Sequence, residues 1–360
     1  MAPRTLTRDQ LAGAAEAALG GGRKLTRVER QSGGTRKGVY RLTMDDATSA
    51  IAYLWEASEN YWPEIEWGDD IADPFAHGNG SGLFEAARTR LDSLGLRVPE
   101  LYLVDRDHTY YPADLAIVED FPGENLMDLL ARDPRAAAPT MARLAEGLKA
   151  MRDYRAPAYG SVNLIDGGGV SRAASCEADA LKWGLRCLTD AAARDSRIAS
   201  VHDRLEKRLH ELAAAVRPRA EYSVVHGELG LDHVLVDRDG RPVIIDIEDL
   251  MYYDVEWEHV FLRLRLHAEY HHVAVDGLDE ARLALYMLVQ RLSLTAGPLR
   301  LLETDFPDRE FFQGIVEHNL REALLWLREP TSPARTACCS RQCWVPPAGA
   351  ELSTGSKAAT

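Results

Sequence analysis

Two short apolar stretches carry polar residues at their ends in a pattern that can do chemistry. The first reads His226-Gly227-Glu228-Leu229-Gly230-Leu231-Asp232-His233-Val234-Leu235-Val236, the second Val243-Ile244-Ile245-Asp246-Ile247-Glu248-Asp249. Between them Asp237-Arg238-Asp239-Gly240 has the composition of a hairpin turn. A hairpin brings its outer ends together, so Glu228, His233 and Asp246 can converge beside one cleft although 18 residues separate the two carboxylates. Two carboxylates with a neighbouring ligand suit divalent-metal binding and the positioning of a nucleophilic hydroxyl. His226 is suited either to bracing the loop by hydrogen bonds or to reacting.

The elements that must hold these residues divide the chain in two. After an N-terminal helix or extension over residues 1–24, the stretch from Leu25 to Trp55 alternates like three strands, broken by Ser32-Gly33-Gly34 and Asp45-Asp46. Residues 56–82 are acidic and rich in Trp, Gly and Pro, and read as an inserted loop or lid. A helix over Leu83 to Leu94 and strands over Pro99 to Val104 and Asp114 to Asp120 complete a first lobe, residues 25–122. From residue 123 to 330 apolar residues recur every three or four positions, as in Met141, Leu144, Leu148 and Met151, so this lobe is mainly helical around the hairpin of residues 222–250. Helices are expected at Val255 to His267, Ala281 to Leu294 and Arg309 to Leu327, and residues 331–360 read as a flexible tail.

Composition narrows the partners. Hydrophobic residues make up 46% and charged residues 27% of 360, enough for a proper core, and the net charge of −14 repels phosphate backbones and anionic lipid. Nucleic acid and membrane are therefore poor partners, and the absence of a long apolar run or a signal-like start predicts a cytoplasmic protein. Five Cys without framework spacing read as reduced thiols, including Cys338, Cys339 and Cys343 of the tail.

The hairpin segment resembles the catalytic loop and metal segment of the aminoglycoside phosphotransferases, protein-kinase-like enzymes that phosphorylate small molecules, whose pattern is His-Gly-Asp-Leu-x-x-x-Asn-x-Leu, a hairpin, then Ile-Asp-x-Glu. The resemblance extends in order over about residues 25 to 330. Ser32 to Leu42, with Gly33, Gly34, Thr35, Arg36 and Lys37, is similar to the nucleotide-covering loop. Glu85 matches the Glu of the small-lobe helix, Ile117 to Gly123 with Glu119 looks like the adenine-contacting hinge, and Asp254 and Glu258 match a later acidic pair. The resemblance implies an α+β bilobed fold, an antiparallel-sheet lobe above a helical lobe, and ATP or GTP with magnesium as cofactors. It also implies that Glu228 orients the acceptor hydroxyl, His226 braces the loop, and Asp246 and His233 hold the metal.

Three departures fall on these positions. Glu228 stands where the family has Asp, which moves the carboxylate by about an ångström. His233 stands where it has Asn, an imidazole that manganese accepts better than magnesium does. Tyr53 or a neighbour occupies the strand position of the phosphate-binding Lys, and no Lys occurs between Lys37 and Lys149. Arg41, Arg36 or Lys37 would then supply the positive charge, Arg with a forked grip. Three readings follow: an active small-molecule kinase, a kinase-like nucleotide-binding module without turnover, and a metal-dependent hydrolase using Glu228, Asp246, His226 and His233. The expected acceptor is an aminoglycoside-like or other polyol or amino sugar. The insertion, with Glu59, Glu64, Glu66, Asp69, Asp70, Asp73, Tyr61, Trp62 and Trp67, offers a surface for a cationic acceptor. The alternative is a solvated loop whose aromatics pack on the first lobe.

Overall fold

The computed structural model describes residues 6–31, 34–62, 71–75 and 80–328. Gly33, Trp67 and the Cys-containing tail lie outside them. Helix α1 (Arg8–Leu19) starts at a capping box between Thr7 and Gln10. Strands β1 (Leu25–Arg30), β2 (Gly38–Met44) and β3 (Ser49–Trp55), helix α2 (Ser81–Ser93), and strands β4 (Leu101–Asp105) and β5 (Asp114–Glu119) follow. The five strands form one antiparallel sheet in the order β1-β2-β3-β5-β4. Burial alternates along β2 because its two faces meet different neighbours. Tyr40, Leu42 and Met44 join Ala52, Leu54, Leu115 and Ile117 under α1, while Tyr53 and Trp55 face Phe84 of α2 and the second lobe.

The second lobe is helical. Helices α3 (Leu126–Arg132) and α4 (Pro134–Asp153) meet at Asp133, whose carboxylate caps the first amides of α4. The short strand β6 (Gly160–Ser161) leads into α5 (Val162–Asp166), α6 (Cys176–Arg194), α7 (Ser196–Ala199) and α8 (His202–Ala215). Four brief strands, β7 (Ser223–Val225), β8 (Val234–Val236), β9 (Pro242–Ile244) and β10 (Met251–Tyr253), precede α9 (Val255–Leu266), α10 (Glu280–Leu301) and α11 (Arg309–Leu325). Strands β8 and β9 are the expected hairpin, and β10 pairs with both β6 and β7. Helices α6 and α10 approach closely at Gly184, where an added Cβ would sit 2.9 Å from Val289 Cγ2.

One apolar core runs from the sheet into the helical lobe, joining Tyr53, Trp55 and Phe84 to Leu126, Leu144, Ile244 and Ile247. The hairpin is also tied to the first lobe by backbone: the Ile244 amide donates to the Arg97 carbonyl at 2.9 Å. The bilobed α+β fold is therefore as expected. Cys176 and Cys187 are buried free thiols. No helix among the described residues is long and apolar enough to cross a membrane.

Candidate active site

The loop between β7 and β8 turns at Gly227, whose φ of +87° only glycine adopts without strain. Its conformation is fixed from below by Glu258 of α9. One carboxylate oxygen, Oε2, accepts the amides of His226 at 2.6 Å and Gly227 at 3.0 Å, while Oε1 is buried without a hydrogen-bond partner. Burial pushes this carboxyl up to about 7, and the two amides only partly offset that.

His226 is itself buried and joins the two chemical segments. Its Nε2 donates to the Ile245 carbonyl at 3.1 Å and its Nδ1 accepts the Glu228 amide at 3.4 Å. Burial, with help from His233, lowers its pKa to about 4, so the ring is neutral at pH 7 and acts as a clamp. His233 spans the same gap on the solvent side: Nδ1 lies 3.2 Å from the Glu228 carbonyl and Nε2 3.8 Å from Asp246 Oδ2. With Nδ1 donating, a neutral ring presents its lone pair on Nε2, toward Asp246. Asp246 adopts φ of +59°, a left-handed conformation that Asp tolerates better than most residues.

From above, the loop before β2 reaches down to these carboxylates. Lys37 Nζ is 3.0 Å from Asp246 Oδ1 and also bonds Glu248 Oε1, and Arg36 pairs with Asp249 at 2.7 Å. Lys37 holds the Asp246 carboxyl well below the usual carboxylate range. Burial works against the Lys37 charge, but Glu248 and Asp246 outweigh it and raise its pKa. Glu228 is exposed to solvent, in electrostatic reach of Arg36, Asp249 and Asp246. The crowded cleft raises its carboxyl by desolvation first, with Arg36 opposing.

The structure thus brings Glu228, His226, His233 and Asp246 together with Arg36 and Lys37. Thr35 lies at the edge of the same loop, its hydroxyl accepting from Trp62 Nε1 at 3.1 Å. In Gly34 an added Cβ would come within 2.6 Å of the Lys37 carbonyl, so the tight turn excludes a side chain there.

Three expected residues stand elsewhere. Glu85 turns out of the cleft and pairs with Arg106 of the β4–β5 connection. Arg41 grips Asp120 with two bonds, at 2.8 and 3.1 Å, and braces the hinge rather than the loop. Glu119 pairs with Arg97 at 2.7 Å and its amide bonds the Glu100 carbonyl, leaving the hinge as a backbone feature. Asp232, adjacent to His233, is committed to Arg265 at 2.6 Å.

The described start of the insertion, residues 56–62, packs against the rest of the molecule. Glu59 is buried 1% exposed, bonded to Arg30 and Tyr40. Tyr61 packs on Phe306, and Trp62 lies against Arg36, Arg300 and Gly297 of α10. Residues 63–70, with Glu64, Glu66, Trp67, Asp69 and Asp70, lie outside the described residues. Glu248 was not singled out by its sequence, although it falls in the Ile-Asp-x-Glu pattern two residues after Asp246.

With this geometry in hand, comparison decides the family. The family model described as the phosphotransferase enzyme family matches residues 81–294, more than half of the chain. The chain belongs to that family. No curated protein matches it. Among solved structures, choline kinase LicA from Streptococcus pneumoniae is 14% identical, with a TM-score of 0.56 over 88% of this chain and 97% of that one. A thermostable mutant of aminoglycoside phosphotransferase APH(4)-Ia, in ternary complex with ADP and hygromycin B, is 16% identical, with a TM-score of 0.53 over 83% of this chain and 94% of that one. A fructosamine-3-kinase of Thermobifida fusca, so named provisionally, is 19% identical, with a TM-score of 0.50 over 89% and 100%. The chain therefore shares the kinase-like fold of these structures over most of its length.

Proposed function

We propose that this phosphotransferase moves the terminal phosphoryl group of ATP or GTP onto a hydroxyl of a small molecule, an aminoglycoside-like compound or another polyol or amino sugar. What carries the reading is the convergence of Glu228, His233 and Asp246 at the foot of a loop that brings Lys37 onto Asp246 and Arg36 onto the neighbouring Asp249. The solved neighbours bound to ADP and hygromycin B, and the choline kinase, support nucleotide and small-molecule acceptor as ligand classes.

The donor set suits a divalent cation. Asp246 offers carboxylate oxygen and His233 offers Nε2, a mixed set that manganese accepts as well as or better than magnesium. When bound, such an ion supplies charge neutralisation at the phosphates. The rest falls to this chain. The amides and cations of residues 34–37 hold the phosphates, and the exposed Glu228 carboxylate accepts the proton of the acceptor hydroxyl and orients its oxygen. His226 and Glu258 keep that carboxylate in register with Asp246 without exchanging protons with substrate. The buried thiols suit a cytoplasmic, reducing setting.

A catalytically impaired nucleotide-binding module is the second reading, favoured by the longer Glu228 and the imidazole of His233. Thermal shift with ATP or GTP plus magnesium or manganese tests both, because ligand binding raises stability by mass action. Binding followed by phosphate transfer to a panel of amino sugars and polyols, abolished in Asp246→Ala, supports the kinase. Binding without transfer to any of them supports the module. Transfer that survives Asp246→Ala refutes the metal assignment. The hydrolase reading leaves the five-stranded sheet without a role.

A further inference from the structure

We infer that the phosphate-anchoring ion pair of this fold has been rebuilt from new positions, as Lys37 with Glu248, so that it no longer depends on helix α2. The inference rests on the nucleotide-binding reading above. In the pattern the chain resembles, a Lys on β3 meets a Glu on the small-lobe helix. Here the β3 position holds Tyr53, and the helix position holds Glu85, which faces Arg106. Register explains how Lys37 reaches the vacated place. Tyr53 pairs with Val39, so Lys37, two residues earlier, lies on the same side of the sheet and one step along it.

The side chains meet accordingly: Lys37 Nζ stands 4.9 Å from the centre of the Tyr53 ring. Tyr53 packs edge-on against Trp55 and Phe84 and fills the space with apolar surface. Lys37 is 8% exposed, and its carboxylate partners are Asp246 and Glu248. Asp246 is the proposed cation ligand, which leaves Glu248 as the partner that stays with Lys37 when phosphates arrive. The Glu248 side chain is only 12% exposed. The other two candidates are placed differently: Arg41 is held at the hinge by Asp120, and Arg36 meets Asp249 beside Trp62.

A lysine supplied from the loop changes how the site is controlled. In the strand-and-helix arrangement, displacement of the helix breaks the pair and weakens phosphate anchoring. Here loop and metal segment hold each other directly, and Glu85 is free of the task.

Calorimetry with a non-hydrolysable ATP analogue and manganese tests this on the full-length protein. Lys37→Met should weaken binding by about tenfold to a hundredfold, the worth of a charge-assisted contact. Glu248→Gln should weaken it less, and Glu85→Ala should leave it unchanged. The double variant Lys37→Met with Tyr53→Lys should recover binding, because an amine returns to the same place from β3. Recovery separates phosphate anchoring from a merely structural role. Undiminished affinity in folded Lys37→Met, or a loss in Glu85→Ala as large as in Glu248→Gln, overturns the inference while leaving nucleotide binding intact. A wild-type protein that binds no nucleotide overturns the underlying reading, and the pair with it.

Discussion

Glu258 offers the sharpest test of how the loop between β7 and β8 is held. The residue is 4% exposed, its carboxylate accepts two backbone amides through Oε2 and has no hydrogen-bond partner for Oε1, and it lines a small cavity with Met151, Arg152, Val224 and His259. Burial pushes its pKa from the ordinary 4.5 up to about 7. A carboxyl raised on folding binds a proton that the unfolded chain has already lost, so unfolding releases it between these two values. Stability from this group is therefore greatest below about pH 4.5, declines as pH rises, and is lost above about 7. At about 1.36 kcal/mol for each unit of pKa, the decline amounts to roughly 3 kcal/mol.

Glu258→Gln keeps the shape and cannot ionise. Its constant effects, such as an amide nitrogen left facing the cavity, shift the variant's stability by the same amount at every pH. The difference in unfolding free energy, variant minus wild type, should then rise by roughly 3 kcal/mol from pH 4.5 to pH 8.5. Urea denaturation at matched pH values measures it, and all other titrating groups are common to both proteins and cancel. A difference flat to within about 0.5 kcal/mol would refute the assignment of a proton to this buried acid. A fall with pH would mean that the two amide bonds outweigh desolvation and hold the carboxylate ionised.

Two further perturbations test neighbouring parts of the frame. Arg282, 1% exposed, pairs with the buried Asp254 at the start of α9, which also accepts a hydrogen bond from Tyr286 and has Arg219 at 3.7 Å; Glu177 lies 3.3 Å from Arg282. Arg282→Met should cost about 3–5 kcal/mol in urea denaturation because it removes the closest cation from a buried carboxylate, and a loss under about 1 kcal/mol would contradict that role. Trp62 donates to Thr35 and lies over Arg36, in the loop proposed to cover the nucleotide. Trp62→Ala should weaken binding of an ATP analogue several-fold with little change in acceptor KM; the opposite pattern would support the insertion as an acceptor lid.

What could be read from the sequence, and what could not, follows from the range of the forces involved. The β8–β9 hairpin and the meeting of His233 with Asp246 depend on a short turn and a period of two, and both lie within a single stretch of chain. The bilobed order of strands and helices is likewise a matter of local periodicity. Glu85 was placed correctly on a helix, yet the direction in which it points depends on how α2 docks, and the Arg106 that claims it sits 21 residues away on another element. Glu59 belonged to an acidic run with the composition of a solvated loop. Its burial, its bonds to Arg30 and Tyr40, and the close approach of Gly38, where an added Cβ would lie 2.8 Å from Glu59 Cδ, show that this part of the loop packs against β1 and β2. Tyr53 or a neighbour is the expected occupant of the lysine position, and the sequence alone does not measure the reach of a lysine that immediately precedes the neighbouring strand. A four-carbon stem spans the gap between adjacent strands, which lie about 4.8 Å apart, so a charge can move one strand over while its ammonium stays in place. A missing residue type at a motif position is therefore weak evidence of a missing function when the neighbouring strand can deliver the same group, and the Lys37 and Tyr53 pair puts that point to the test.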